Sequence, residues 1–246
     1  MPKFRTVLFD CDSTLSAIEG IDELATHCRA DVEQLTDAAM RGRIPLEEVY
    51  GRRLRLVQPT RAAVEELGRQ YVARLVPDAA ETIAALQAAG VDVRIISGGL
   101  RPAVLAVARA VGVEESRVAA VDIAFASDGS YADFDAASPL AATGGKRVAI
   151  ERWDVNRPAM MVGDGTTDLE ARPVVDLFVA FAGVVERPSV VQAADIVVRA
   201  NSLAPLLPLA LHVDDLVRTP YRSVYERGAS MSAASTIPLT RNITAS

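Results

Sequence analysis

The first unbroken apolar run, Val7-Leu8-Phe9, ends abruptly at Asp10, and the same arrangement recurs downstream. A run apolar on both faces predicts a strand covered on both sides, as in a parallel sheet, here over residues 4–9. The spacing then turns helical in Ile21-Leu24-Ala25-Cys28, Leu46-Val49-Tyr50-Leu54 and Val64-Leu67-Tyr71-Leu75. Thr60, after Pro59, predicts a helix N-cap. No strand pattern interrupts this stretch, so residues 16–75 predict a helical insertion.

Beyond it the periods alternate. A helix over 79–89 stops at Gly90, and the strand VDVRII runs into Ser97-Gly98-Gly99. A helix over 102–111 follows, then a hairpin in which 118–126 and 131–134 flank Asp128-Gly129. A helix opens near Gly145-Lys146, and the strand AMMV reaches Gly163-Asp164-Gly165. A short helix, a strand over 177–181, a helix before Ala194 and a strand over 196–198 complete the series. The class is α/β: an open, Rossmannoid parallel sheet with helices on both faces and right-handed crossovers. Residues 1–15 and 76–217 form the expected α/β core, 16–75 a helical insert, and 218–246, rich in Ser, Thr and Ala, a flexible tail.

Composition removes several alternatives. Of the 246 residues half are apolar, which fits a globular chain with a sizeable core. A net charge of −6 without a basic run argues against nucleic acid. Two cysteines, Cys11 and Cys28, and two histidines, His27 and His212, cannot supply a structural zinc site. The cysteines read as reduced thiols. The opening apolar run is too short for a signal peptide, and the stretch 203–211 is broken by Pro205 and Pro208, so no membrane span is expected. The expectation is a soluble cytoplasmic protein, monomeric or homodimeric.

Three predicted strands end in polar clusters, at Asp10, at Ser97 and at Gly163-Asp164. In open α/β sheets ligands bind beyond the carboxyl ends of the strands, so clusters far apart in sequence converge on one crevice. Carboxylates crowded together need a cation, and an oxygen-only donor set selects a hard ion, Mg²⁺. Asp10 and Asp164 are the candidate direct ligands, with the backbone carbonyl of Asp12. Lys146 adds positive charge and Ser97 a hydroxyl. Gly98 and Gly99 are expected to open a helix and let backbone N–H groups approach an anion. Such a set suits a phosphoryl group. Asp10 and Asp12 lie two residues apart and, by strand alternation, point the same way. One can attack as nucleophile while the other protonates the leaving oxygen and then deprotonates water.

The segments FDCDST, Ser97, Lys146 and GDGTTD resemble the four motifs of the haloacid dehalogenase superfamily of phosphatases. EGIDELA, LRLVQP, SGGLR, GGK and GDGTTDLEA are similar to its phosphoserine phosphatase family, across about residues 4–198. The resemblance implies a phosphoaspartyl intermediate on Asp10, with Asp12 as general acid/base. It implies Mg²⁺ on Asp10, the Asp12 carbonyl and Asp164, and phosphoryl contacts from Ser97 and Lys146. Asp168, four residues after Asp164 on the same helical face, would support the metal shell or Lys146. Thr167 would contact substrate or phosphate. In the cap, Glu19 would bind the ammonium and Arg53 the carboxylate of O-phospho-L-serine, while Met40 and Leu46 line the apolar remainder. Arg41 and Leu100 depart from the family pattern, and Arg41 bears on substrate choice. The implied activity is that of a phosphoric monoester hydrolase in serine biosynthesis. The alternatives are another small phosphate ester, phosphotransfer, or non-catalytic binding of a phosphometabolite.

Overall fold

The computed structural model describes residues 1–25, 28–40 and 46–235. His27 and Arg41 lie outside the described residues, as do the side chains of Met40 and Leu46. Strand β1 (Thr6–Phe9) is buried at every position, as its unbroken apolar run requires. Four helices follow: α1 (Gly20–Leu24), α2 (Arg29–Met40), α3 (Leu46–Val57) and α4 (Arg61–Ala73). Thr60 caps α4, its hydroxyl accepting from the Ala63 N–H at 3.2 Å. Ser16 and Leu75 pair as an isolated bridge where the chain leaves and re-enters the sheet region.

Helix α5 (Ala79–Ala88) ends before Gly90, whose φ of +83° a side chain would resist. Then come β2 (Asp92–Leu100), α6 (Arg101–Ala110), β3 (Val118–Val121), β4 (Ile123–Phe125) and β5 (Tyr131–Phe134). The remaining elements are α7 (Gly145–Trp153), β6 (Ala159–Gly163), α8 (Thr166–Leu169), β7 (Leu177–Phe181), α9 (Pro188–Ala193), β8 (Ile196–Val198), α10 (Leu206–Ala210) and α11 (Arg222–Ser235).

The main sheet is parallel, in the order β3-β2-β1-β6-β7-β8. The order reverses direction at β1, whose neighbours are β2 and β6. That reversal places a crevice beyond the carboxyl end of β1. Phe9 stands in register with Ile95 on one side and Val162 on the other. Asp10, Ser97 and Asp164 therefore follow at nearly one level. The hairpin β4–β5 turns at Asp128-Gly129 and leans on the insert: Phe134 meets Tyr50 with ring centroids 5.3 Å apart, and Arg61 lies over the Phe125 ring. The core joins both parts, because Tyr50, Leu54, Val64, Leu67 and Tyr71 of the insert share one buried cluster with the strands.

Three expectations change. The segment 118–126 divides, with β3 joining the main sheet and only β4 entering the hairpin. Strand β2 continues through Ser97-Gly98-Gly99 to Leu100, so the glycines sit in a strand rather than at a helix start. Between Ile96 and Leu100 its register with β3 shifts, a bulge of the kind that re-aims side chains at the rim of a sheet. The mobile tail expected over 218–246 is corrected for 222–235, which form α11. Val224 is buried there, Arg227 pairs with Asp78 and Glu81, and a Cβ at Gly228 would lie 2.1 Å from the Ala204 carbonyl. The sequence hid this helix because half of its apolar residues are small alanines, interleaved with serines. Among the described residues no helix is long and apolar enough to cross a membrane.

Candidate active site

Strand β1 ends at Phe9, but the Asp10 N–H still donates to the Val162 carbonyl at 2.9 Å, which holds the residue on the sheet rim. From there the chain turns sharply. The Cys11 carbonyl accepts from the N–H groups of Leu15 and Ser16 at 3.0 Å each, and Ser13 adopts φ +50°. Asp12 therefore stands in a turn, and the turn rather than strand alternation brings it to the crevice.

Asp10, Ser97, Lys146, Asp164 and Asp168 are all buried. Lys146, in the first turn of α7, lies with Nζ 2.7 Å from Asp10 Oδ1 and also donates to Asp168. Asp168 is anchored in turn, its Oδ2 accepting the Gly165 N–H at 2.9 Å. Asp164 precedes α8 rather than lying on it, so the shared helical face expected for Asp164 and Asp168 does not exist. The loop turn brings them together all the same. Carboxylate oxygens of Asp10, Asp164 and Asp168 lie within 4.8 Å of one another.

Burial, and then the neighbouring Asp168, push Asp10 well above the ordinary carboxylate range against the pull of Lys146. Asp164 is raised for the same two reasons, against the pull of Arg187. Burial alone would lower Lys146, but Asp10 and Asp168 outweigh it and hold the ammonium above its usual value. Three buried, oxygen-only carboxylates, with the proton affinity of Asp10 and Asp164 raised, are a donor set that a hard cation would relieve. Such a cation fits here.

Asp12 sits at the centre of a polar web. Its Oδ1 accepts from Tyr71 Oη at 2.5 Å and from the Gly20 N–H at 2.7 Å, while Oδ2 accepts from Ser97 Oγ at 3.2 Å. The Gly99 N–H donates to Ser97 Oγ at 2.9 Å, so in this conformation that amide serves the serine. Tyr50, on α3, donates to the Gly98 carbonyl at 2.8 Å and ties the insert to the bulge. Thr167 lies in the first turn of α8, half-buried beside this rim.

Glu19 accepts from Ser13 Oγ at 2.8 Å and from Arg187 at 2.9 Å. Its carboxyl is pushed up to about 7, by burial first and then by Asp12, against the Ser13 hydroxyl and Arg187. Arg187 also grips Asp164 Oδ2 at 2.9 Å, joining insert to sheet. Arg53 is mostly buried and pairs with Asp22 at 2.7 Å, and its Nε finds no partner among the described residues. His212 is exposed and stands away from this chemistry, as expected.

The sequence reading passed over Arg187, Asp22, Tyr50 and Tyr71. Arg187 follows β7, and the rule that polar groups gather beyond strand ends would have found it there. The apolar period marks the two tyrosines only as members of helical stripes.

A model of the haloacid dehalogenase-like hydrolases matches residues 4–173. Phosphoserine phosphatase of Bos taurus is 39% identical over 195 residues, 77% of this chain and 86% of the bovine one. The chloroplastic phosphoserine phosphatase of Arabidopsis thaliana is 39% identical over 198 residues, covering 78% and 67% of the two chains. Among solved structures, a phospho-aspartyl intermediate analogue of phosphoserine phosphatase superposes with a TM-score of 0.70 at 26% identity, over 83% of this chain and 98% of the other. The chain belongs to the haloacid dehalogenase-like hydrolases and, within them, to the phosphoserine phosphatase family.

Proposed function

We propose that the chain hydrolyses O-phospho-L-serine to serine and phosphate through an aspartyl phosphate on Asp10. Asp10 attacks phosphorus; Lys146, 2.7 Å away, favours its charged form against burial and lies where it also meets phosphoryl oxygens. Ser97 contributes a hydroxyl to the same oxygens, and Thr167 faces them from α8. Asp12 supplies and then reclaims the proton. Mg²⁺ would be held by Asp10, Asp164 and the Asp12 carbonyl, where it would neutralise phosphoryl charge. Asp168 holds Lys146 in place.

The helical insert acts as a cap. Glu19 receives the substrate ammonium and Arg53 its carboxylate, a division that matches a fixed anion and a planar cationic fork to a zwitterion. Met40, Gly98 and Gly99 complete the expected pocket. The observation that carries this reading is the gathering of Asp10, Asp12, Ser97, Lys146 and Asp164 at one sheet rim, together with the relatives' shared name.

A phosphoester panel with Mg²⁺, repeated with chelator, tests it. Phosphoserine is expected to exceed phosphoethanolamine, which lacks the carboxylate, by about 10–100-fold in kcat/KM, the worth of a charge-assisted hydrogen bond. Equal turnover would remove Arg53 as carboxylate reader.

A further inference from the structure

We propose that Tyr71, a residue of the helical insert, is a positioning residue that holds Asp12 so that its proton resides on Oδ2, the oxygen beside Ser97. The proposal rests on the reading of Asp12 as general acid/base. A carboxylate oxygen offers two lone-pair sites. On Asp12 Oδ1 both are taken, by the Tyr71 hydroxyl at 2.5 Å and the Gly20 amide at 2.7 Å. A proton could settle there only if the Tyr71 hydroxyl turned to accept it, and this fully buried phenol would then have no acceptor for its own hydrogen among the described residues, while the amide can only donate. Oδ2 meets only the Ser97 hydroxyl among the described residues, at 3.2 Å, and a hydroxyl can rotate from donor to acceptor.

The approach of the phenol is built into the chain. Tyr71 is fully buried, and its carbonyl accepts from Ser16 Oγ at 3.0 Å, which fastens α4 to the segment leaving β1. Room for its hydroxyl exists because residue 20 is glycine: a Cβ there would lie 2.0 Å from Tyr71 Oη and 2.9 Å from its Cζ. The preceding members of the same helical stripe, Val64 and Leu67, are plain hydrocarbon, so packing alone does not call for a hydroxyl at 71.

In the first step the Asp10–phosphorus bond forms as the ester P–O bond breaks, and the Oδ2 proton passes to the leaving alkoxide. In the second, the Asp12 carboxylate takes a proton from water as its oxygen bonds to phosphorus. The aspartyl–phosphorus bond breaks, which frees phosphate and restores protonated Asp12. With the carboxyl fixed through Oδ1, the same oxygen serves both transfers without a rotation.

The test compares leaving groups in single-turnover phosphoryl transfer with Mg²⁺. Phosphoserine expels an alkoxide that needs a proton, whereas acetyl phosphate expels acetate, which does not. Tyr71→Phe is expected to slow transfer from phosphoserine at least about 10-fold, a part of the ~10²–10⁴ that an acid/base group contributes, and to leave transfer from acetyl phosphate within about twofold. Gly20→Ala, which pushes the phenol aside, should show the same selectivity, and combining the two substitutions should add little to either alone. An equal loss with both substrates, or no loss, overturns the proposal. Asp12→Asn is the control for the underlying reading. If it separates the two substrates and Tyr71→Phe does not, only the tyrosine's role falls; if it does not separate them, the acid/base assignment falls first.

Discussion

At the rim of the sheet, the buried charges of Asp10, Asp164 and Lys146 are matched by partners from the segments that follow the strands. Lys146 lies between Asp10 and Asp168, and the Gly165 amide steadies Asp168. The helical insert is arranged differently. Its Glu19 rests on Arg187 from the loop after β7, and its Arg53 rests on Asp22 from a neighbouring helix. Arg53 is mostly buried, while Asp22 is half exposed. A substrate carboxylate arriving at Arg53 must share or replace Asp22, and an ammonium arriving at Glu19 must contend with Arg187. The rim is preorganised for one chemistry, in the sense that little has to move for it to act. Under the proposed function these partners stand in for the ligand, and recognition there would exchange them.

The largest effect that would sharpen this contrast comes from the rim. Asp10→Asn keeps the shape of the side chain and removes the attacking charge. Turnover of phosphoserine is expected to fall by more than about 10⁴-fold, as for other lost nucleophiles, with the chain still folded by circular dichroism. Near wild-type turnover would mean that no aspartyl phosphate forms.

Next is the ion cluster itself. Lys146→Met removes a buried cation from among buried carboxylates, and breaking a buried pair from one side costs about 3–5 kcal/mol. Denaturant unfolding at pH 7 in chelator is expected to show a loss of that size. Adding Asp168→Asn to the same chain should recover part of it, because one anion leaves with the cation. If Lys146→Met proves as stable as the parent, the rim is not the preorganised cluster contrasted here with the insert.

The rim was legible in the sequence because a parallel sheet turns local patterns into long-range geometry. Once runs ending at Phe9, Ile96 and Val162 are read as strands, Asp10, Ser97 and Asp164 must meet. What was not legible depended on side chains reaching between separate elements. The bulge after Ile96, which keeps Gly98 and Gly99 in a strand, is set by pairing with β3 and leaves no mark in the local apolar period. Helix α11 was missed because it docks through small residues such as Gly228. Tyr71 was visible as an apolar position, while its hydroxyl found its use only through the turn that carries Asp12. Arg187 meets Glu19 across 168 positions of sequence, and no periodicity encodes such a pair.

The smallest effect tests the insert directly. Glu19 holds its proton up to about pH 7, above the range of an ordinary glutamate. Below that pH it is neutral and offers the substrate ammonium little; above it the charge is present. Relative to Glu19→Gln, whose amide does not titrate, kcat/KM for phosphoserine is expected to rise about tenfold from pH 6 to pH 8, the ratio of ionised fractions for such a group. Taking the ratio to the glutamine variant cancels the titration of the substrate itself. Stability moves the other way. The folded chain retains a proton that the unfolded chain has lost, so between about 4.5 and about 7 each rise in pH favours unfolding, and the penalty is complete above that window. The Glu19→Gln chain should lack this decline. A flat activity ratio would mean that the ammonium is read elsewhere, and that Glu19 serves Arg187 rather than the ligand.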